Sequence, residues 1–324
     1  VDEAEAAGIL ERAADSAPAT WRFSHALYQE AVHAALPAGR RARLHARAAD
    51  ELERRHGVAA EHVIAELEAH PHEASAGGGP KRAFAAAAAA AARAARVCAF
   101  EQMAVHHAQA LDALDHAEPV DAVRRLDTLL ARGEALRLSG DRARRRNVFE
   151  QAMAAARALE RPADFARAAI GFCDLSEWAP RDGEARAALE EALARLGSES
   201  GVERARVLTR IAYLGARGRP DPESEDVALL AIEEARRSGD PHALQEALYA
   251  RHFLIGSPHR LEERAGFEAE LVAAARRSAL RDTAVIALVD SASDRLALGD
   301  AQGARRARAD AEALAGPNPH LGML

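Results

Sequence analysis

Residues 136–153 read LRLSGDRARRRNVFEQAM, and this stretch decides the fold. One helical pattern stops at Gly140, and a second starts after Asp141. Glycine adopts the left-handed conformation that closes a helix without a Cβ penalty, and an aspartate beside it accepts a hydrogen bond from the free amides opening the next helix. The same punctuation returns at Gly299-Asp300 and in Ser238-Gly239-Asp240. Ala110, Ala152, Ala192, Ala235, Ala274 and Ala311 each fall late in the second helix of an expected pair, about 40 residues apart. That spacing is the signature of stacked helical hairpins, since one hairpin cannot bury its apolar face alone while neighbours share a continuous core.

Working outward, the pattern predicts six helix pairs, at 81–116, 119–160, 162–197, 202–238, 241–279 and 282–315. Pro119, Pro162, Pro180, Pro220, Pro241 and Pro258 fall at helix starts or stops, where a missing amide does little harm. The small-aromatic-small spacing of tetratricopeptide (TPR) repeats is followed loosely. Phe149, Ala152 and Met153 fit it, whereas Arg145 stands where a small residue belongs and His107 replaces an aromatic. The Ala-rich run 85–92 suits close helix packing at little cost in side-chain entropy. The expectation is an all-α chain with a short winged-helix-like N-terminal part over 1–74, a linker over 75–80 and a right-handed TPR-like α-solenoid of about six hairpins over 81–324. Residues 75–80, SAGGGP, read as a flexible joint, and Pro80 suits the first turn of the next helix. Val1 at the start and the Gly-Pro-Asn-Pro turn near the end suggest a piece of a longer protein, truncated at the C-terminal side of the array.

Composition narrows the class of function. Hydrophobic residues make up 49%, charged residues 29% and aromatic residues 4% of the 324 positions. A net charge of −7 argues against direct nucleic-acid binding and against an anionic membrane surface, both of which reward cationic faces. The most apolar run, 83–100, carries Arg93 and Arg96 and reads as no membrane span. The two cysteines, Cys98 and Cys173, lie on different hairpins, read as small buried hydrophobes and suit a reducing cytoplasm.

The first 74 residues carry a more specific signal. Residues 2–13 read as a helix, 20–23 (TWRF) as a strand, Ser24 as the cap of a helix ending near Pro37, and 40–55 as an Arg-rich helix. Residues 21–53, WRFSHALYQEAVHAALPAGRRARLHARAADELE, resemble the segment that follows the ATPase core in bacterial signal-transduction NTPases with numerous domains (STAND), above all the large ATP-binding regulators of the LuxR type. Phe23, Ser24, His25, Leu36, Pro37, Arg40, Arg41, Leu44 and His45 carry the resemblance. It implies a winged-helix connector followed by TPR-like repeats, acting in signal transduction or transcription regulation. The family's phosphate loop is missing here, so ATP and Mg are expected only in an attached ATPase module, and no cofactor or metal in this chain. Self-association on activation belongs to the same expectation.

Candidate functional residues follow from these two halves. Arg40, Arg43 and Arg47 share a helix face that can dock on the attached ATPase, with a solvated face as the alternative. Tyr213, Tyr249 and His252 are the scarce large side chains of the middle repeats and candidates for a recognition groove, with core packing between repeats as the alternative. Trp178 and Phe253 belong to the same set. Fourteen histidines include no His-Glu-x-x-His or Cys/His knuckle, and no catalytic pair is evident. The sequence thus reads as a non-catalytic regulatory region that binds a protein or small effector and controls an attached ATPase. A passive TPR scaffold and an (α/α)6-toroid hydrolase with paired carboxylates are the alternatives, the second opposed by the shortage of aromatic residues.

Overall fold

In a computed structural model the described residues are 2–12, 21–37, 40, 44, 71–173, 183–198, 201–216, 222–255, 258–277 and 281–315. They are helical but for one short hairpin, so the chain is all-α. Two compact units are present, 1–128 and 129–324.

In the first unit, helix α1 (Asp2–Ala6) is shorter than the sequence predicts. Gly8, at φ 69°, turns the chain, and strand β1 (Leu10–Arg12) pairs antiparallel with β2 (Trp21–Phe23), Leu10 opposite Phe23. The strand at 21–23 is therefore where the sequence put it, while its partner was read as helix. Helix α2 (Ala26–Ala35) follows, and His25 rather than Ser24 receives its free amide, from Leu27 N to Nδ1 at 3.2 Å. Ser24 instead donates to the Gly8 and Ile9 carbonyls at 2.5 and 3.2 Å, tying the hairpin to the turn. Apart from 40 and 44, the expected Arg-rich helix lies outside the described residues.

Helix α3 (Pro71–Arg96) contains the expected joint but confines it to one residue. Only Gly79, at φ 75° and ψ 161°, leaves helical geometry, and Pro80 opens the next turn, where it lacks only an amide that would be free anyway. Residues 75–78 remain helical. The alanine run then delivers what its composition promised. Ala87, Ala90, Ala91 and Ala94 are buried as α3 packs on α4 (Phe100–Asp115). Cys98 overturns its expectation: it sits exposed in the turn between them, at φ 55°.

Helix α5 (Ala122–Ser139) runs from the first unit into the second. The second unit continues with α6 (Arg142–Ala158), α7 (Pro162–Phe172), α8 (Gly183–Leu196), α9 (Val202–Ala216), α10 (Pro222–Ser238), α11 (Pro241–Leu254), a 3-10 turn at Pro258–Arg260, α12 (Leu261–Arg277), α13 (Arg281–Ala297) and α14 (Ala301–Ala315). The Gly-Asp junctions work as the sequence implies. Gly140, Gly239 and Gly299 have φ of 78°, 71° and 83°. Asp141, Asp240 and Asp300 accept from the amides of Arg144, Ala243 and Gly303 at 3.1, 2.7 and 2.8 Å.

Packing in the second unit is that of a solenoid. From α6 onward each helix packs on the next, and the first helices of successive hairpins, α7, α9 and α11, pack on one another as a layer. All six alanines of the repeat ladder are buried, and Ala110, Ala152, Ala192 and Ala274 are fully so. Second helices are tied by ion pairs recurring at a separation of 34 residues: Arg157 to Glu191, Arg236 to Glu270 and Arg276 to Asp310. Exposed pairs of this kind contribute little each, but their repetition records the register of the stack. Phe149 is the largest irregular fitting. Its buried ring lies against Gly133 of α5 and Gly171 of α7, where no side chain intervenes. Arg145, the residue standing where a small one was expected, is buried and donates to the Phe172 carbonyl at 3.5 Å. Arg146 pairs with Glu184 of α8 and lies over the Phe172 ring.

Candidate recognition site

Helical spacing puts Tyr249, His252 and Phe253 on one side of α11, three and four residues apart. The three rings meet there. Tyr249 and His252 are parallel at 6.2 Å, and Phe253 stands edge-on to both, 5.0 Å from Tyr249 and 6.3 Å from His252. Tyr213 of α9 joins edge-on to Phe253 at 5.6 Å. From α13, Asp290 approaches His252, with Oδ2 3.6 Å from Nε2. The layer of first helices therefore gathers Tyr213, Tyr249 and His252, which the sequence singles out separately, into one cluster. They are unequally open. Tyr213 and His252 are buried, Tyr249 is half-buried and Phe253 is exposed.

Charge surrounds the rings. Asp294, one turn beyond Asp290, is buried and receives two hydrogen bonds from Arg264 of α12, that from Nε at 2.8 Å. Further in, Ser291 donates to Oε2 of buried Glu268 at 2.7 Å, and Arg295 lies 3.5 Å from the same oxygen. Burial dominates the acidities. It lowers the His252 imidazole to about 4, with Arg264 adding and Asp294 opposing, so this ring is neutral at neutral pH. Burial likewise raises the Asp290 carboxyl to about 6, assisted by Asp294 and opposed by Arg264. It lifts the Tyr249 hydroxyl to about 12, with Asp290 and Tyr213 adding.

A second buried charge cluster serves packing. Glu246 of α11 accepts from Arg206 at 2.8 Å and Arg210 at 2.9 Å, both on α9, with His242 at 3.4 Å. Burial alone would push its carboxyl up, but Arg210, His242 and Arg206 together hold it well below the usual range. Arg206, Arg210 and His242 all belong to the array, so this cluster ties α9 to α11.

The other expected site is only partly described. Arg40 is exposed, and Arg43 and Arg47 lie outside the described residues. So does Trp178. Sequence reasoning missed Asp290, Asp294 and Arg264. The signal was faint: two carboxylates a turn apart in the otherwise apolar TAVIALVDSASD of α13, one repeat beyond His252. Among the described residues no group of three or more His, Cys, Asp and Glu side chains can hold a metal ion, and no helix is long and apolar enough to cross a membrane.

No protein-family model matches the chain, and a search of curated proteins finds none similar to it.

Proposed function

We propose that this chain is a non-catalytic regulatory region in which the helical array recognises a protein or small effector and controls an attached STAND-type ATPase, in signal transduction or transcription regulation. One observation carries the recognition half. Tyr213, Tyr249, His252, Phe253 and Asp290 come from α9, α11 and α13, the first helices of three successive hairpins. A solenoid binds through such a layer, because residues one repeat apart in sequence become neighbours along one continuous surface. Phe253 and Tyr249 keep part of their rings accessible, as an anchor for a ligand requires. The regulatory half rests on the resemblance of residues 21–53 to the connector that follows the ATPase core.

Effector binding acts on the ATPase only if the two output states hold the effector with different affinity. In a longer protein carrying the ATPase, removal of residues 81–324 changes the basal ATPase rate or self-association. An unchanged rate and unchanged self-association, with and without effector, sink the reading. On this reading ATP and Mg belong to the attached module, and the two cysteines, apart on different hairpins, support a cytoplasmic setting.

A further inference from the structure

Among the described residues, the buried carboxylates Asp164, Glu234 and Asp294 each have a guanidinium nitrogen within 3.2 Å. Glu268 of α12 differs. It is 2% exposed, and the nearest approach of a cation to it is Arg295 Nε of α13, 3.5 Å from Oε2 and without a hydrogen bond. The hydrogen bonds of Arg295 go elsewhere, to Ser291 Oγ at 3.3 Å and to Asp300 at 3.2 Å.

The two carboxyl oxygens are unequal. Oε2 lies 2.7 Å from Ser291 Oγ, while Oε1 is buried with no hydrogen-bond partner among the described residues. An ionised carboxylate offers only acceptor sites, and burying it with one hydrogen bond is costly. The neutral acid fits the same geometry better. With a proton on Oε2 the bond to Ser291 reverses, Glu268 donating to Oγ, and Oε1 becomes a carbonyl oxygen, which tolerates a missing partner far better than a charged one. The surrounding charges agree with this. Burial raises the carboxyl above its ordinary 4.5 and Asp294 adds to the rise, against Ser291, Arg295 and Arg264. From α11, Arg251 is engaged by Glu263, and His252 faces Asp290.

We propose that the seam between α12 and α13 is a proton-operated latch, closed when Glu268 is a neutral carboxyl hydrogen-bonded to Ser291 and loosened when Glu268 ionises. The sign follows from linkage: the stabilisation is complete below 4.5 and is lost as pH rises through the folded value. Ser291 follows Asp290 on α13, so opening the latch also loosens the α13 side of the ring cluster. The latch does not depend on which ligand the array recognises.

The test uses the 324-residue chain with carbon-13 in its glutamate carboxyls. In wild type, the resonance that Glu268→Gln removes titrates with a midpoint above 4.5. Arg295→Gln, at a partly exposed position, identifies the same resonance independently by moving its midpoint further up. Hydrogen exchange then reads the latch itself, comparing wild type with Glu268→Gln, in which the neutral state is permanent. At pH 8 the amides of α13 exchange more slowly in Glu268→Gln, by roughly tenfold for each pH unit that the wild-type midpoint lies above the ordinary value. The difference shrinks as pH falls toward 4.5, and amides of α6 and α7 exchange alike in both proteins. A Glu268 midpoint at or below 4.5, a midpoint unmoved or lowered by Arg295→Gln, or α13 amides exchanging equally or faster in Glu268→Gln at pH 8 overturns the proposal.

Discussion

Replacing Gly133 by alanine should destabilise the array, although alanine is the better helix former. The intrinsic gain of Gly to Ala inside a helix is about 1 kcal/mol. Against it stands the Phe149 ring: a Cβ on Gly133 would lie 2.6 Å from both Cε1 and Cζ. Ordinary carbon contacts are about 3.5–4.0 Å, so the ring must retreat by about 1 Å. The same end of the ring is also pressed by α7, where a Cβ on Gly171 would lie 2.5 Å from Cε1 and 2.6 Å from Cε2. The ring is 3% exposed and has nowhere to go. Overpacking of this kind costs about 1–3 kcal/mol, and here the upper part of that range applies because the ring is held between two backbones, those of α5 and α7. The net loss is about 1–2 kcal/mol, a fall of roughly 2–8 °C in the melting temperature of a unit this size. Gly266→Ala is the control, since it too lies within a helix, α12, and a Cβ there meets nothing within 4 Å. It should raise stability by about 0.5–1 kcal/mol. Combining Gly133→Ala with Phe149→Leu should restore part of the loss, a coupling beyond the additivity of independent sites. Thermal and urea unfolding of the wild type, the three single variants and the double variant measure this. If Gly133→Ala stabilises as Gly266→Ala does, or its effect merely adds to that of Phe149→Leu, the account of Phe149 is wrong.

The remaining predictions concern charge and caps. His252 and Asp290 pull the pH dependence of stability in opposite directions. His252 has a folded value of about 4 against an ordinary 6.5, so its contribution is present above 6.5 and lost as pH falls toward 4. Asp290, raised to about 6 from 3.8, does the reverse: its ionisation costs stability as pH rises through that window. The two nearly cancel between about pH 4 and 6 in the wild type. Asp290→Asn should therefore lose stability more steeply than wild type on acidification from pH 6.5 to 4, and His252→Gln should gain relative to it; urea midpoints across that range check both. Arg264→Ala strands the buried Asp294 carboxylate and should cost about 3–5 kcal/mol, whereas adding Asp294→Asn should recover much of it. Asp240→Ala removes the acceptor for the Ala243 amide and should cost about 1 kcal/mol in thermal unfolding.

The features legible in the sequence are those whose cause is local. Gly140, Gly239 and Gly299 are where they are because the backbone there needs positive φ, and the aspartate after each caps because its amide targets lie three residues ahead. The alanine ladder was equally legible, since burial at a fixed helical phase repeats with the hairpin. Local reading failed where the chain turned against its own pattern. Residues 10–12 look helical in isolation but are strand because Gly8 redirects them onto residues 21–23, and Cys98 is apolar in character but exposed because it falls in a turn. Only tertiary structure decided which charges meet. Arg146 met Glu184, Arg264 reached Asp294, and Asp290 came to His252. Each of these contacts joins neighbouring hairpins, and the neighbour of a side chain across a helix stack depends on the stagger and rotation of packed helices. Period and propensity fix that helices stack; the shapes of the packed side chains, Phe149 against two glycines among them, fix how.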